Sequence, residues 1–154
     1  MERRRSRIVL SLLLVAGAAA GAWSLLAPGA TEEDRVRHVL DGCETAFEKG
    51  DVDGIVDHLH AEYSDSLGND RAGADRYLKF LLVMQKKTYA MDRRQESIHV
   101  EGESAKIEFV ASGSERRGEE LLPSGLGTWD VTGEMRRVDG EWKIYRLELK
   151  KRRE

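Results

Sequence analysis

Hydrophobic and polar positions divide this chain into three unlike stretches. From Ile8 to Ala27 the run IVLSLLLVAGAAAGAWSLLA is apolar except for Ser11 and Ser24. Twenty residues at the helical rise span about 30 Å, the thickness of a hydrocarbon core. The next stretch has helical periodicity. Thr31 is placed to cap a helix, with Asp34 three residues on and Glu32 and Glu33 at the positive end of its dipole. Val36, Val39, Leu40, Cys43 and Phe47 then form one apolar stripe, which Gly50 stops. Asp51 caps a second helix with a stripe of Val52, Ile55, Val56 and Leu59, and Asp70 caps a third over about 71–87. In that third helix Tyr77, Leu78, Phe80, Leu81, Leu82, Val83 and Met84 are interrupted only by Lys79. Either it is wedged between a sheet and the other two helices, or its outer side meets a partner chain or the membrane surface.

From Ile98 onward the period changes to two. Ile98 and Val100 lead into a Glu101-Gly102-Glu103 turn. Ala105, Ile107, Phe109 and Ala111 then alternate with polar residues, as do Trp129, Val131, Gly133 and Met135. Asp139-Gly140 predicts a hairpin into a last strand, Glu141–Lys150. There Trp142 and Ile144 have one parity while Tyr145, Leu147 and Leu149 have the other. A bulge that switches faces explains this, or a sheet covered on both sides. Residues 115–127 read as a long, Gly-rich, mobile loop. The fold class expected is α+β: three helices packed in a curved antiparallel sheet, preceded by one transmembrane helix.

Composition and charge narrow the function. With 154 residues, 40% hydrophobic, one folded domain is expected and general disorder is excluded. The single cysteine excludes a disulfide framework and a four-thiolate zinc site. Arg3, Arg4, Arg5 and Arg7 precede the apolar run and Glu32, Glu33 and Asp34 follow it. This asymmetry predicts a cytoplasmic N-terminus at 1–7, an anchor at 8–27, a linker at 28–31 and a domain at 32–150 outside the cytoplasmic membrane, in contact with lipid through 8–27. A cleaved signal is the alternative, with Ala20-Gly21-Ala22 as the cleavage site and a secreted or periplasmic product. Without residues 1–30 the chain keeps 21 basic and 27 acidic side chains, a balance that disfavours nucleic acid as a partner. The basic tail, 151–154, reads as a solvated terminus, with anionic lipid as an alternative contact.

The order helix, helix, connector, helix, curved sheet resembles the nuclear transport factor 2-like superfamily, also called SnoaL-like, with its cystatin-like cone. The residues that carry the resemblance are Phe47-Glu48-Lys49-Gly50-Asp51, Val52-Asp53-Gly54-Ile55-Val56, Tyr63-Ser64-Asp65 and Val138-Asp139-Gly140-Glu141-Trp142-Lys143-Ile144. It covers about residues 32–150. The superfamily includes isomerases, dehydratases, hydrolases, ligand-binding proteins and protein-binding domains, so each site is argued from its own residues.

In the steroid-isomerase branch a general-base aspartate follows the second helix, and Asp65 matches it in kind and approximate place. The same resemblance puts a hydroxyl donor on the first helix, seven residues before Gly50. That position is Cys43, a poor donor. Asp65 is therefore a candidate base beside a simpler reading as a turn-capping aspartate. Tyr63, Tyr77, Phe109, Trp129 and Trp142 are candidates to line a ligand pocket, or to fill the core instead. His58 and His60, two apart, would not chelate on a helix and have no adjacent third ligand, so no metal and no cofactor is expected. The leading expectation is a non-enzymatic, membrane-anchored domain that binds an envelope partner and forms a homodimer through its sheet. The alternative is a small apolar-ligand binder, or an isomerase- or lyase-type enzyme, using the cone.

Overall fold

The computed structural model describes residues 29–153. The basic N-terminus at 1–7 and the anchor at 8–27 lie outside them. Among the described residues no helix is long and apolar enough to cross a membrane. Helix α1 spans Glu32–Lys49. Thr31 Oγ1 accepts the Asp34 N–H at 3.1 Å and Asp34 Oδ2 accepts the Thr31 N–H at 3.0 Å, a reciprocal cap for two amides without helical partners. Gly50 ends the helix at φ 69°, a left-handed conformation that an L side chain resists.

Helix α2 is a short segment, Val52–Val56, capped where Asp51 Oδ1 accepts the Gly54 N–H at 2.9 Å. Leu59 does not extend its stripe, as expected above, but opens strand β1, Leu59–Asp65. Helix α3 covers Arg71–Leu78 and continues as a π-helical segment, Lys79–Met84, three residues short of the expected end. Leu81 and Leu82 are buried there, while Tyr77, Phe80, Val83 and Met84 stand exposed. The helix is thus wedged on one side only.

Strands β2 (Thr88–Glu101), β3 (Ser104–Arg117), β4 (Glu120–Val138) and β5 (Glu141–Lys151) form an antiparallel meander. The sheet order is β1-β5-β4-β3-β2 with β1 parallel to β5, so the sheet is mixed rather than wholly antiparallel. Strand β5 also takes in Lys151, one residue of the expected tail. The expected mobile loop at 115–127 is the end of the β3–β4 hairpin. Two register shifts between Gly113 and Glu115 break the alternation there, which hides the strands from a period-two reading. In β5 the pairing jumps from Met135–Ile144 to Glu134–Arg146, so Tyr145 is the extra residue of a bulge. It reconciles the two parities of that strand and leaves Tyr145 between the His60 ring, 5.2 Å away, and the Arg136 guanidinium, 3.4 Å from its centroid.

The apolar interior is divided. One cluster is built on Val36, Leu40, Tyr63, Ile107, Met135 and Trp142. A second gathers Ala46, Val52, Ile55, Leu81, Leu82 and Tyr89. Ion pairs tie α1 to β2 beside them: Arg93 reaches Asp41, Glu44 at 3.2 Å and Glu96 at 2.8 Å, while Arg37 reaches Glu96 at 2.7 Å.

Candidate functional site

Between the two clusters lies a cavity of about 260 Å³. Leu40 and Phe47 of α1, Ile107 and Phe109 of β3, and Ile144 and Leu147 of β5 supply apolar wall. Helix α3 closes another side with Ala74, Tyr77 and Leu78. Small residues at Ala74 and Ala111 leave the space unfilled.

The wall has two polar corners. At the first, Tyr63 at the end of β1 donates its O–H to Asp65 Oδ2 at 3.0 Å. Asp65 Oδ1 accepts the backbone N–H groups of Leu67 at 2.9 Å and Asn69 at 3.0 Å. The Asn69 amide Nδ2 lies 3.3 and 3.1 Å from the two carboxylate oxygens. Asp65 thus organises the turn from β1 to α3, and each donor in the group is aimed at its carboxylate. Burial and the adjacent Asp65 charge and hydrogen bond push the Tyr63 phenol well above its ordinary range, so it keeps its proton.

At the second corner Arg93 is ringed by Asp41, Glu44 and Glu96 and lies 5.8 Å from the Phe109 ring centroid. Burial raises the Glu44 carboxyl, against the pull of Arg93. Cys43, also in the wall, is a half-buried thiol pushed up to about 12 by desolvation. It is a weak donor and an inert nucleophile.

Four of the expected aromatic and acidic residues, Tyr63, Asp65, Tyr77 and Phe109, therefore meet in one wall. The two tryptophans do not join them. Trp129 donates its indole N–H to the Leu126 carbonyl at 2.7 Å, beneath the Lys151 ammonium. Trp142 is buried in the first cluster, donates to Glu32 Oε2 at 2.9 Å, and borders a separate polar cavity with Arg35, His38 and His58. An indole N–H taken wholly or partly out of water needs an acceptor, and both acceptors lie away from the apolar space. Nor do the two histidines converge: His58 Nε2 faces Gly42 and His60 faces Tyr145. Among the described residues no cluster of three or more His, Cys, Asp or Glu could hold a metal ion. Arg93, Glu44, Asn69 and Met91 were not anticipated in the wall. The alternation Tyr89, Met91, Arg93 is the signal that could have found two of them.

No family model and no curated protein matches the chain. Solved structures do match. A provisional scytalone dehydratase from Novosphingobium aromaticivorans aligns with TM-score 0.66 and 15% identity, covering 77% of this chain and 82% of its own. A nuclear transport factor 2-like protein of unknown function from Pseudomonas putida gives 0.64 and 16%, covering 77% and 85%. A nuclear transport factor 2-like protein from Cytophaga hutchinsonii gives 0.64 and 14%, covering 80% of this chain and all of its own. At these identities the likeness shows the fold alone: the α+β cystatin-like, nuclear transport factor 2-like architecture. That superfamily has ligand-binding and enzyme members.

Proposed function

We propose that residues 32–150 form a non-catalytic receptor for a small, largely apolar molecule. The carrying observation is the cavity of about 260 Å³ between the two core clusters. An apolar cavity of about 150 Å³ stays dry and accepts benzene, so this one suits a ligand of about ten non-hydrogen atoms. The isomerase or lyase alternative has less support. Both Asp65 oxygens are engaged by the turn and by Tyr63, which leaves them poorly placed to abstract a proton. Cys43 stands where the resemblance would need an acidic hydroxyl. The run at 8–27 and its flanking charges support tethering of this receptor at the outer face of the cytoplasmic membrane. Protease protection of the untagged protein in sealed membrane vesicles tests that placement.

The pocket is tested by fluorine NMR of fluoronaphthalene with the full chain in nanodiscs, against empty nanodiscs. Saturable broadening is expected, and Ala111→Phe, which fills the wall, abolishes it while leaving the urea midpoint within the wild-type range. Absence of saturable binding to the wild type overturns the receptor reading.

A second reading, docking of an envelope partner, is favoured by one observation. Tyr77, Phe80, Val83 and Met84 present a continuous exposed apolar row, with Met84 at 72% exposure. A photocrosslinker at Val83 in intact membranes tests it: a discrete adduct supports docking, and none counts against it. A homodimer through the sheet has less to draw on, because the face carrying Lys106, Glu108, Glu134 and Arg136 is charged.

A further inference from the structure

At the polar corner the Tyr63 phenol has its one donor spent. The phenol proton, two backbone N–H groups and the Asn69 amide all converge on the Asp65 carboxylate. What the Tyr63 hydroxyl retains for a cavity occupant is the acceptor capacity of its oxygen. The opposite corner is rich in carboxylates. Three carboxylates, Asp41, Glu44 and Glu96, surround the single Arg93 guanidinium and engage three of its five N–H groups. An anionic ligand meets an excess of negative charge at that corner. A ketone at the Tyr63 corner meets lone pairs facing lone pairs, and leaves a buried acceptor unpaired.

We propose that the cavity selects a neutral ring compound bearing a hydroxyl group, whose O–H is donated to the Tyr63 oxygen, over ketones, ethers and carboxylates of the same size. This deepens the receptor reading and rests on it. The raised Tyr63 phenol agrees with the assignment, because a phenol that keeps its proton goes on donating it to the Asp65 carboxylate. The selectivity is opposite to that of a site built to polarise a carbonyl, which must present donors.

The test uses the full chain in nanodiscs, with fluoronaphthalene as the reporter and naphthol, methoxynaphthalene, tetralone and naphthoate as competitors. All four lie within a few non-hydrogen atoms of the size that suits the cavity. Naphthol is expected to displace the reporter about tenfold more tightly than the ether or the ketone, and naphthoate to displace it least. Tyr63→Phe keeps the reporter bound and brings naphthol to within about twofold of its ether, because the acceptor is gone and the ring remains. If the reporter binds but tetralone competes as well as naphthol, or Tyr63→Phe preserves the naphthol preference, the hydroxyl assignment is overturned and the receptor reading stands. If the reporter does not bind the wild-type chain, both fall together.

Discussion

Ile107 offers the most direct measure of how the cone is built. It sits on β3 at 1% exposure, belongs to the first core cluster, and also forms part of the cavity wall. Directly across on β4 is Gly133, which has no side chain to move into vacated space. Ile107→Ala removes three carbons, worth about 2.4 kcal/mol at about 0.8 kcal/mol each. In a sealed core the residual void would add a comparable amount; here it merges with space already empty, so the addition is smaller. A loss of about 3 kcal/mol follows, in the lower half of the range for buried aliphatic truncation. Urea unfolding followed by tryptophan fluorescence reads it, since Trp142 is buried in the same cluster. Fluoronaphthalene at about 100 times its dissociation constant should restore about 2.7 kcal/mol. A loss below about 1 kcal/mol, with an unchanged m-value and unchanged ligand affinity, would refute the packing described for this wall.

Two further outcomes are expected. A Cβ at Gly133 would lie 2.6 Å from the Arg146 carbonyl oxygen, 2.7 Å from Leu147 Cδ2 and 3.3 Å from Ile107 Cγ1. Gly133→Ala must therefore part β4 from β5 and press Leu147 inward, lowering stability by about 2–3 kcal/mol together with reporter affinity; an unchanged urea midpoint contradicts it. Burial first, then the Lys143 charge, hold the His58 imidazole below its ordinary 6.5. The unfolded chain then binds that proton more readily, so this contribution is fully present above about pH 6.5 and is lost as pH falls through the folded value. His58→Gln should flatten the decline in urea midpoint between about pH 7.5 and about pH 5.5; equal slopes in both proteins count against it.

Turn and cap chemistry was the most legible layer of the chain. Thr31 with Asp34, Asp51 and Asp70 each accept the amide that their position requires, and Asp139-Gly140 closes the last hairpin. These signals are local: a short polar side chain satisfies backbone groups two or three residues away. What failed depended on partners distant in sequence. Leu59 fits the stripe of α2 as well as it fits a strand, and only pairing with Ile144 makes it β1. The stretch 88–97 shows no strand period because charged residues crowd it: Arg93 faces inward only because Asp41, Glu44 and Glu96 receive it there. A strand shift between Arg94 and Ser97 then scrambles the alternation from which β2 could have been read.

The site follows the same division. Aromatic count alone could not tell a filled cone from a hollow one, because Trp129 and Trp142 are large enough to fill it. Their location is decided by the indole N–H, which draws each ring toward an acceptor, the Leu126 carbonyl or the Glu32 carboxylate, and away from the apolar cavity. Tyr63 resolves the same demand differently, since its acceptor, Asp65, is two residues along the chain and travels with it into the wall. A residue that carries its own acceptor can stand beside an apolar space at little cost. One that must find an acceptor elsewhere leaves that space empty. Trp142 is of the second kind, drawn to a carboxylate 110 residues away, and the inward positions at Ala74 and Ala111 are too small to fill the space.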